Sequence, residues 1–405
     1  MRFLLTYLLV VVSVLWSFDI PSAFAEEKPS LTPEALYGES AILIDATTGQ
    51  VLFEKNPHVK LYPASITKIA TGIYAIEKGN PDDIVTVSKK ARYEKGTRVY
   101  LAEGERVSLR KLEYGLLMHS GNDAATAIAE HLSQTTEHFA EELNAYLQEK
   151  VGVTETHFAN AHGLHDPEHY TTASDMAKIA QYAMRNPIFR EIVGTNRLLW
   201  DGKEWKSELV NHNKLLRDYE GATGIKNGFT DQAMHTLVGS AKRGDTELIA
   251  VTMKAASSPY AYKDVTKMLD YGFAGYETRQ IADPGTAYTE APVPGNNSVV
   301  TYTTTDSLFA TVPKGTEPLV QLRRDGQLSI QAGSLSISYP LHRNSPPVEA
   351  QPSAVPPASG QDYPLARYGL MIVWLGLNLF LIFFTFRRTK RRRRLKQRSL
   401  QRRAY

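Results

Sequence analysis

Hydrophobic positions between residues 40 and 80 change from the period of a strand to the period of a helix. Apolar runs at 41–44 and 51–53 flank a Thr-Thr-Gly turn at 47–49, which predicts a β-hairpin. A helical spacing follows, with apolar side chains at i, i+3, i+4 and i+7: Ile66, Ile69, Ala70 and Ile73. This spacing predicts an amphipathic helix that starts near Ser65.

Three further helical patterns follow before residue 190. The first has Ser108 as a cap and apolar residues at Leu109, Leu112 and Leu116. The second, NDAATAIAEHLS, is rich in alanine and begins at Asn122 and Asp123, residue types that favour a helix start. The third is the segment TASDMAKIAQYAM. The middle of the chain is therefore predicted to be mostly helical.

After residue 220 the hydrophobic period becomes two. The segment HTLVGSAKRGDTELIAVTMKA predicts two strands around a turn at 242–245, and YKDVTKMLDYGFAGY predicts a helix. Strands, many helices, then strands and a helix indicate one mixed domain of the α+β class at residues 26–278. Short β-branched segments with Gly and Pro turns predict a small all-β domain at 279–345, and a Pro-rich linker follows at 346–367.

Both ends of the chain carry apolar segments typical of export and membrane anchoring. Residues 1–25 combine a basic start, an apolar run and an Ala-Phe-Ala site, which predicts a secretory signal peptide. Residues 368–386 contain no charged residue, and at ~1.5 Å per residue they are long enough to span a bilayer core. We therefore predict a single transmembrane helix with residues 26–367 on the outer side.

The charge of the chain is concentrated at its end. Residues 387–405 hold eleven of the 46 Lys and Arg residues and no acid, so the rest of the chain has more acidic than basic residues. The positive-inside rule predicts a cytoplasmic tail that also contacts lipid headgroups, and nothing in the body indicates a nucleic-acid surface. The chain has no cysteine, which excludes disulfides and thiol catalysis and favours a bacterial envelope protein.

A first candidate for catalysis is the pair Ser65 and Lys68 in YPASITKIAT. Side chains at i and i+3 share one helix face, and a helix start favours a developing alkoxide. An apolar environment with a second cation nearby would lower the pKa of Lys68 enough to make it a base. However, Ser-x-x-Lys also occurs by chance, and taken alone it is explained better by a serine cap followed by a solvated lysine.

Two more segments contain residue types that complement this pair. Ser120 and Asn122 lie at a predicted break between two helices, where a hydroxyl and an amide can point into one cleft. Lys226, Asn227 and Gly228 lie at the predicted start of a strand. A strand edge there can offer a cation, an amide and a backbone N–H to the anionic end of a peptide. Taken singly, a helix cap and a β-turn explain these segments as well.

Taken together and in this order, the three segments resemble the Ser-x-x-Lys, Ser-x-Asn and Lys-[Ser/Thr]-Gly motifs of the penicillin-recognising serine hydrolases. Six blocks resemble one branch more closely, the low-molecular-mass D-alanyl-D-alanine carboxypeptidases: ILIDATTGQVLFEKN, YPASITKIAT, GTRVYLAEGERVSLRKLEYGLLMHSGNDAATAIAEH, FANAHGL, NHNKLL and GIKNGFTDQA. The resemblance covers residues 35–275 and continues more loosely into the β-rich segment. It implies the fold of the serine β-lactamases and DD-peptidases.

The resemblance implies a function and a role for each residue of the motifs. The chain is expected to cleave the terminal D-alanine from peptidoglycan pentapeptides and to bind β-lactams. Ser65 resembles the nucleophile, Lys68 its base and Ser120 the group that relays a proton to the leaving D-alanine. The resemblance assigns substrate binding to five residues: Asn122, Lys226, Asn227, Gly228 and Phe229. It implies an oxyanion hole formed by the backbone N–H groups of Ser65 and Phe229. No metal or organic cofactor is implied.

The chain departs from the family pattern at two places. Asn227 replaces the usual Thr or Ser, and its longer amide donates in a different direction. Relatives often carry an Arg near residues 261–263, where this chain offers Lys263 as a point charge. A histidine cluster within AHGLHDPEHY could hold a metal, although the block Asn-x-His-Gly-Leu explains its first histidine without one.

Two other functions remain open at the level of sequence. A β-lactamase of class A would carry a Glu-x-x-x-Asn loop between the second and third motifs, and residues 122–226 contain no such pattern. A catalytically weak scaffold that binds peptidoglycan is the other alternative, because Asn227 changes the third motif. A cross-linking transpeptidase is disfavoured because no long N-terminal region precedes the catalytic segment.

Overall fold

The computed structural model of this chain describes residues 30–290 and 300–344. The predicted signal peptide (1–25), linker (346–367), transmembrane helix (368–386) and basic tail (387–405) lie outside these described residues and stay predictions. Within the two described ranges, no helix is both long enough and apolar enough to cross a membrane.

The described residues begin with strands, continue through a mostly helical middle and return to strands after residue 220. The helices are α1 (Lys68–Lys78), α2 (Lys89–Arg92), α3 (Leu109–Met118), α4 (Asn122–Ser133), α5 (Thr136–Val151), α6 (Ala173–Arg185), α7 (Pro187–Gly194), α8 (Leu215–Asp218) and α9 (Ser258–Gly275). The strands up to residue 290 are β1 (Ser40–Asp45), β2 (Val51–Lys55), β3 (Ile84–Thr86), β4 (Arg106–Ser108), β5 (Arg197–Asp201), β6 (Lys206–Val210), β7 (Ala222–Thr230), β8 (Met234–Arg243), β9 (Thr246–Ala255), β10 (Tyr276–Ala282) and β11 (Ala287–Thr289). The mixed α/β class predicted from the hydrophobic pattern is therefore confirmed.

A five-stranded antiparallel sheet carries the catalytic part of the chain. Its strand order is β2-β1-β9-β8-β7, which places the two predicted hairpins side by side and leaves β7 at an edge. The turn between β8 and β9 is tight, because Arg243 pairs with Thr246 and Gly244 between them has φ +59°. A glycine adopts this left-handed conformation without steric cost.

Side chains that alternate along β1 divide the core between the two faces of this sheet. Leu43 packs on one side with Val265 and Leu269 of α9. Ile42 and Ile44 face the other side, where α1, α3, α4 and α6 form the larger part of the core. The helices on this larger side bring the second motif over the first, because α4 packs against both α1 and α3.

The last described segment is rich in strands, as the sequence predicts. Its strands are β12 (Thr301–Thr303), β13 (Leu308–Pro313), β14 (Leu319–Leu322), β15 (Gln327–Ala332), β16 (Leu335–Pro340) and β17 (His342–Arg343). β10 pairs with β13 and contains the predicted domain boundary at 278/279. Thr311 N donates to Gln50 Oε1 at 2.8 Å and Thr278 N donates to Thr246 Oγ1 at 2.8 Å, so this segment is tied to the catalytic sheet.

Candidate active site

Ser65 lies in a short 3-10 turn, Ala64–Thr67, directly before α1. The helix predicted to start near Ser65 therefore begins three residues later, at Lys68. Ala64 has φ +51°, and two carbonyls beside it are held by hydroxyls: Thr236 Oγ1 donates to Pro63 O at 2.8 Å and Thr67 Oγ1 donates to Ala64 O at 2.8 Å. These contacts fix the backbone that presents Ser65, since a left-handed residue other than glycine is unfavourable by itself.

Lys68 is fully buried, and its ammonium nitrogen has three partners. Nζ lies 3.0 Å from Ser65 Oγ, 2.7 Å from Asn122 Oδ1 and 2.6 Å from the backbone oxygen of His162. Asn122 Nδ2 donates to Lys95 O at 2.7 Å, which fixes the amide with its oxygen towards Lys68. The alternative of a serine cap and a solvated lysine is wrong, because Lys68 is inaccessible and Ser65 Oγ caps no helix.

The partners of Lys68 determine what the nitrogen offers to Ser65. Asn122 Oδ1 and the carbonyl oxygen of His162 can only accept, so each takes one N–H from Nζ. The remaining position on the nitrogen points to Ser65 Oγ, and in a neutral amine it holds the lone pair. The geometry therefore suits transfer of a proton from the hydroxyl to the amine.

The environment of Lys68 favours the neutral amine. Burial lowers its pKa well below the ordinary value, and the positive charge of Lys226 lowers it further. The negative charges of Asp123 and Glu94 act in the opposite direction. Asp123 accepts hydrogen bonds from the N–H groups of Val99 at 3.0 Å and Leu101 at 3.1 Å, so its carboxylate holds the adjoining loop.

The second motif lies at the break between α3 and α4, as predicted. Asn122 is the first residue of α4, but its side chain binds Lys68 and does not cap the helix. Ser120 is 5% exposed and has φ +65°. The Ser120 hydroxyl hydrogen-bonds to no other side chain in the described ranges, and its role as a proton relay stays a prediction.

The third motif lies inside β7 and not at its start. Lys226 is buried, donates from Nζ to Asn227 O at 2.9 Å and has a pKa lowered by burial to about 7. Asn227 Oδ1 is buried and has no hydrogen-bond partner among the described residues. A Cβ on Gly228 would lie 2.7 Å from Ser65 N, so only glycine lets the strand approach the nucleophile this closely. Phe229 is 55% exposed and packs against His235, with the two rings tilted by 32°.

The surroundings of Lys226 suit an anionic ligand. The rings of His119 and His212 lie 4.6 Å apart, and burial together with the charge of Lys226 lowers the pKa of both. Within the described ranges, Lys226 forms no ion pair with a carboxylate. A buried cation without a counter-charge is costly, so a carboxylate that enters here would be bound favourably.

The structure also reveals a hydrogen-bonded chain that sequence reasoning missed. Ala159 N donates to His169 Nδ1 at 3.0 Å, and His169 Nε2 lies 2.8 Å from Thr67 Oγ1, which donates to Ala64 O. Since Nδ1 accepts, Nε2 must carry the hydrogen and donate to Thr67. Burial lowers the pKa of His169 to about 3, so the ring is neutral and supports the nucleophile turn.

The histidines considered as metal ligands have other partners. His162 Nδ1 accepts from Leu164 N at 3.1 Å, and His165 packs edge-on against Tyr62. In the ranges that the structure describes, no group of three or more His, Cys, Asp or Glu side chains is arranged to hold a metal ion. In the sequence, the block Asn-x-His-Gly-Leu was the signal that could have indicated that the loop around 159–169 contacts the nucleophile turn.

The glycine of that block is required by close packing. A Cβ on Gly163 would lie 1.9 Å from Ala64 O, and Gly163 has φ +85°. Lys263, the other cation considered from the sequence, is exposed on α9, with its Nζ 5.8 Å from the centroid of the Tyr260 ring. It has no hydrogen bond or ion pair to a motif residue in the described part of the chain.

Comparison with known proteins identifies the family of this chain. Residues 25–257 match the family model described as D-alanyl-D-alanine carboxypeptidase. The chain is 34% identical to the D-alanyl-D-alanine carboxypeptidase DacF of Bacillus subtilis (strain 168), over 78% of this chain and 82% of the relative. It is 32% identical to DacD of Escherichia coli (strain K12), also named D-alanyl-D-alanine carboxypeptidase, over 78% and 84%.

Solved structures give the same result. Penicillin binding protein 5 from Haemophilus influenzae superposes with a TM-score of 0.69 at 28% identity, covering 78% of this chain and 98% of that protein. Penicillin binding protein 6B from Escherichia coli superposes with a TM-score of 0.63 at 30% identity, covering 78% and 98%. The fold and sequence therefore define a serine peptidase. The chain belongs to the D-alanyl-D-alanine carboxypeptidase family, which confirms the resemblance seen in the motifs.

Proposed function

We propose that this carboxypeptidase removes the terminal D-alanine from peptidoglycan stem pentapeptides through an acyl-enzyme on Ser65. The observation that carries the proposal is the hydrogen-bond geometry of Lys68. Two acceptor-only partners take its N–H groups, and the third position faces Ser65 Oγ at 3.0 Å. A buried lysine with a lowered pKa in this arrangement is a suitable general base.

In the acylation step, Ser65 Oγ attacks the carbonyl carbon of the penultimate D-alanine while Lys68 Nζ takes the hydroxyl proton. The negative charge that develops on the carbonyl oxygen is stabilised by the backbone N–H groups of Ser65 and Phe229. The close approach of Gly228 to Ser65 N supports this oxyanion hole. The C–N bond then breaks, and the leaving D-alanine nitrogen takes a proton that originates on Lys68 and passes through Ser120.

Deacylation repeats the same proton transfers with water. Lys68, again neutral, takes a proton from water, and the hydroxide attacks the ester carbon. The ester C–O bond breaks, Ser65 Oγ recovers a proton and the shortened peptide leaves. No step requires a metal or an organic cofactor.

Substrate binding is assigned to the residues around Lys226. Its ammonium group would pair with the terminal carboxylate of the peptide, since the described structure gives it no carboxylate partner. Asn227 and Gly228 follow Lys226 in β7 and are assigned to substrate binding with it. Asn122 would bind the amide of the substrate. A β-lactam presents an amide and a carboxylate in a similar arrangement, so we expect penicillin to acylate Ser65 as well.

Asn227 supports a second candidate function, a weak enzyme that mainly binds peptidoglycan. Its buried Oδ1 has no hydrogen-bond partner in the described ranges, and an oxygen directed towards a substrate carboxylate would repel it. If the amide keeps this orientation, turnover is slow. If it rotates by 180°, Nδ2 donates to the carboxylate and turnover is supported.

The test is release of D-alanine from diacetyl-L-Lys-D-Ala-D-Ala by the full chain in mild detergent. Wild type is expected to release D-alanine and Ser65→Ala is not. Release that appears only in Asn227→Thr would favour the weak-enzyme alternative, because threonine restores the usual donor. If none of the three proteins released D-alanine, the carboxypeptidase proposal would fail for this substrate.

The place of action is proposed from the ends of the chain. A signal peptide at 1–25 and an apolar segment at 368–386 with a basic tail favour a single C-terminal anchor in the cell membrane. Residues 26–278 would then act on the cell-wall side, and along the chain residues 279–345 and the linker 346–367 separate them from the anchor. Protease accessibility of a C-terminal tag in intact cells tests this orientation, since a protected tag is expected.

A further inference from the structure

A cavity of about 400 Å³ is lined in part by residues just before the first motif and just after the strand of the third motif, and the mechanism above does not use it. Its wall includes six residues with polar atoms: Glu39, Lys60, Tyr62, Tyr170, Gln232 and Lys254. Tyr62 precedes Ser65 by three residues and Gln232 follows the end of β7 at Thr230, so the segments that carry the first and third motifs both contribute to the cavity wall.

The direction of β7 determines which part of a substrate reaches this cavity. β7 is an edge strand, so an extended peptide can add to its free side. If the terminal carboxylate meets Lys226 and the scissile carbonyl lies beside Gly228, the peptide runs antiparallel to β7. Its upstream residues then lie beside Thr230, two residues before Gln232 in the cavity wall. At ~3.3 Å per residue, Thr230 lies about 7 Å beyond Gly228, a distance of two substrate residues.

The charge of the cavity favours a carboxylate. Lys254 Nζ binds Glu39 at 2.6 Å, so these two charges compensate each other. Lys60 is exposed, and its Nζ lies 4.4 Å from the centroid of the Tyr170 ring. Lys60 forms no ion pair within the described residues, which leaves one uncompensated positive charge in the cavity wall. The contact with Tyr170 restricts the lysine side chain and so lowers the entropy lost when it binds a ligand.

We propose that this cavity is a subsite for the acidic residue of the stem peptide, with Lys60 binding its free α-carboxylate. In a stem peptide of sequence L-Ala-γ-D-Glu-L-Lys-D-Ala-D-Ala, that carboxylate lies on the residue two positions before the penultimate D-alanine. This spacing matches the distance from Gly228 to the end of β7. The proposal rests on the carboxypeptidase function proposed above and identifies the residue by which the enzyme distinguishes a complete stem peptide from a short one.

The test compares two pentapeptides that differ in one group. One carries γ-D-Glu and the other carries γ-D-isoglutamine, so the second lacks the only upstream carboxylate. For the full wild-type chain, kcat/KM is expected to be about 3- to 5-fold higher with γ-D-Glu, and the ratio should decrease with added salt. Lys60→Gln is expected to bring the ratio to about one. Lys263→Gln, which removes another exposed lysine beside a tyrosine, should leave the ratio as in wild type.

The subsite proposal would be overturned by a wild-type ratio near one, or by a Lys60→Gln protein that keeps the preference. Failure of the carboxypeptidase function is seen separately, as absence of D-alanine release from diacetyl-L-Lys-D-Ala-D-Ala. In that case binding of the two pentapeptides to Ser65→Ala decides the question without turnover. Tighter binding of the γ-D-Glu peptide that Lys60→Gln abolishes supports the subsite, and equal binding overturns it.

Discussion

Replacing Gly228 with alanine tests whether the close approach of β7 to the nucleophile is required for catalysis. The new Cβ would lie 2.6 Å from Thr236 Oγ1 and 2.7 Å from Ser65 N. Thr236 cannot move away easily, because it is 1% exposed and its hydroxyl donates to Pro63 O. The strand must therefore withdraw from Ser65 by about 0.7 Å to reach an ordinary contact distance of 3.4 Å.

The expected loss follows from the position of the oxyanion hole. A displacement of this size moves the N–H of Phe229 away from the developing charge. Loss of one such donor costs about 100- to 1,000-fold in rate, and a misplacement of about 1 Å costs about 100-fold. We expect acylation of Gly228→Ala to be about 100-fold slower than that of wild type, which corresponds to about 2.7 kcal/mol.

The assay is the rate of Ser65 acylation by a fluorescent penicillin, followed by gel or anisotropy. Gly194→Ala at the end of α7 is the matched control, because its Cβ would meet the nearest atom, Thr223 O, at 3.4 Å. This control is expected to react like wild type. Thermal unfolding separates an effect on acylation from a loss of the fold. Acylation of folded Gly228→Ala within threefold of wild type would refute the reasoning.

Two further predictions concern the charge of Lys226 and the support of the nucleophile turn. Because burial lowers the pKa of Lys226 to about 7, its ammonium form is lost above that pH, and kcat/KM should fall as pH rises. The arginine of Lys226→Arg stays charged and should remove this decline. If kcat/KM of Lys226→Arg still declines with pH, the decline belongs to another group. His169→Gln can still accept from Ala159 N and donate to Thr67, so penicillin acylation should be retained. His169→Leu leaves the N–H of Ala159 unpaired, which should lower the free energy of unfolding by about 1–3 kcal/mol and slow acylation. A leucine variant that is as stable and is acylated as fast as wild type would contradict this prediction.

Sequence patterns predicted the elements whose signals are local. The β1–β2 and β8–β9 hairpins, the Ser108 cap of α3 and helices α6 and α9 are all confirmed, because alternation, helical spacing and capping are properties of neighbouring residues. Helix α5 was missed although Phe139, Leu143 and Leu147 repeat at helical spacing and are buried. The order of the three motifs indicated the penicillin-recognising serine hydrolases, and the six longer blocks around them identified the family, which the family match confirms.

Local patterns were less informative about contacts between residues that are far apart in the sequence. Asn122 lies at a helix start as expected, but the sequence did not indicate that its amide binds Lys68, 54 residues away. His169 was considered as a metal ligand, yet it supports Thr67, 102 residues away. Neither partnership leaves a periodic trace in the sequence, since the first depends on how α4 packs against α1 and the second on how the loop around 159–169 packs against the nucleophile turn.

The sequence alone determined the class of fold, the family and the residues Ser65 and Lys68 as nucleophile and base candidates. Only the tertiary structure decided whether the amine of Lys68 is neutral and which way its free position points. Burial of Lys68 by elements distant in the sequence lowers its pKa, and two acceptor-only oxygens direct its remaining position to Ser65 Oγ. A motif specifies which groups are present, whereas their protonation and direction depend on desolvation and hydrogen bonds that form only when the whole domain packs.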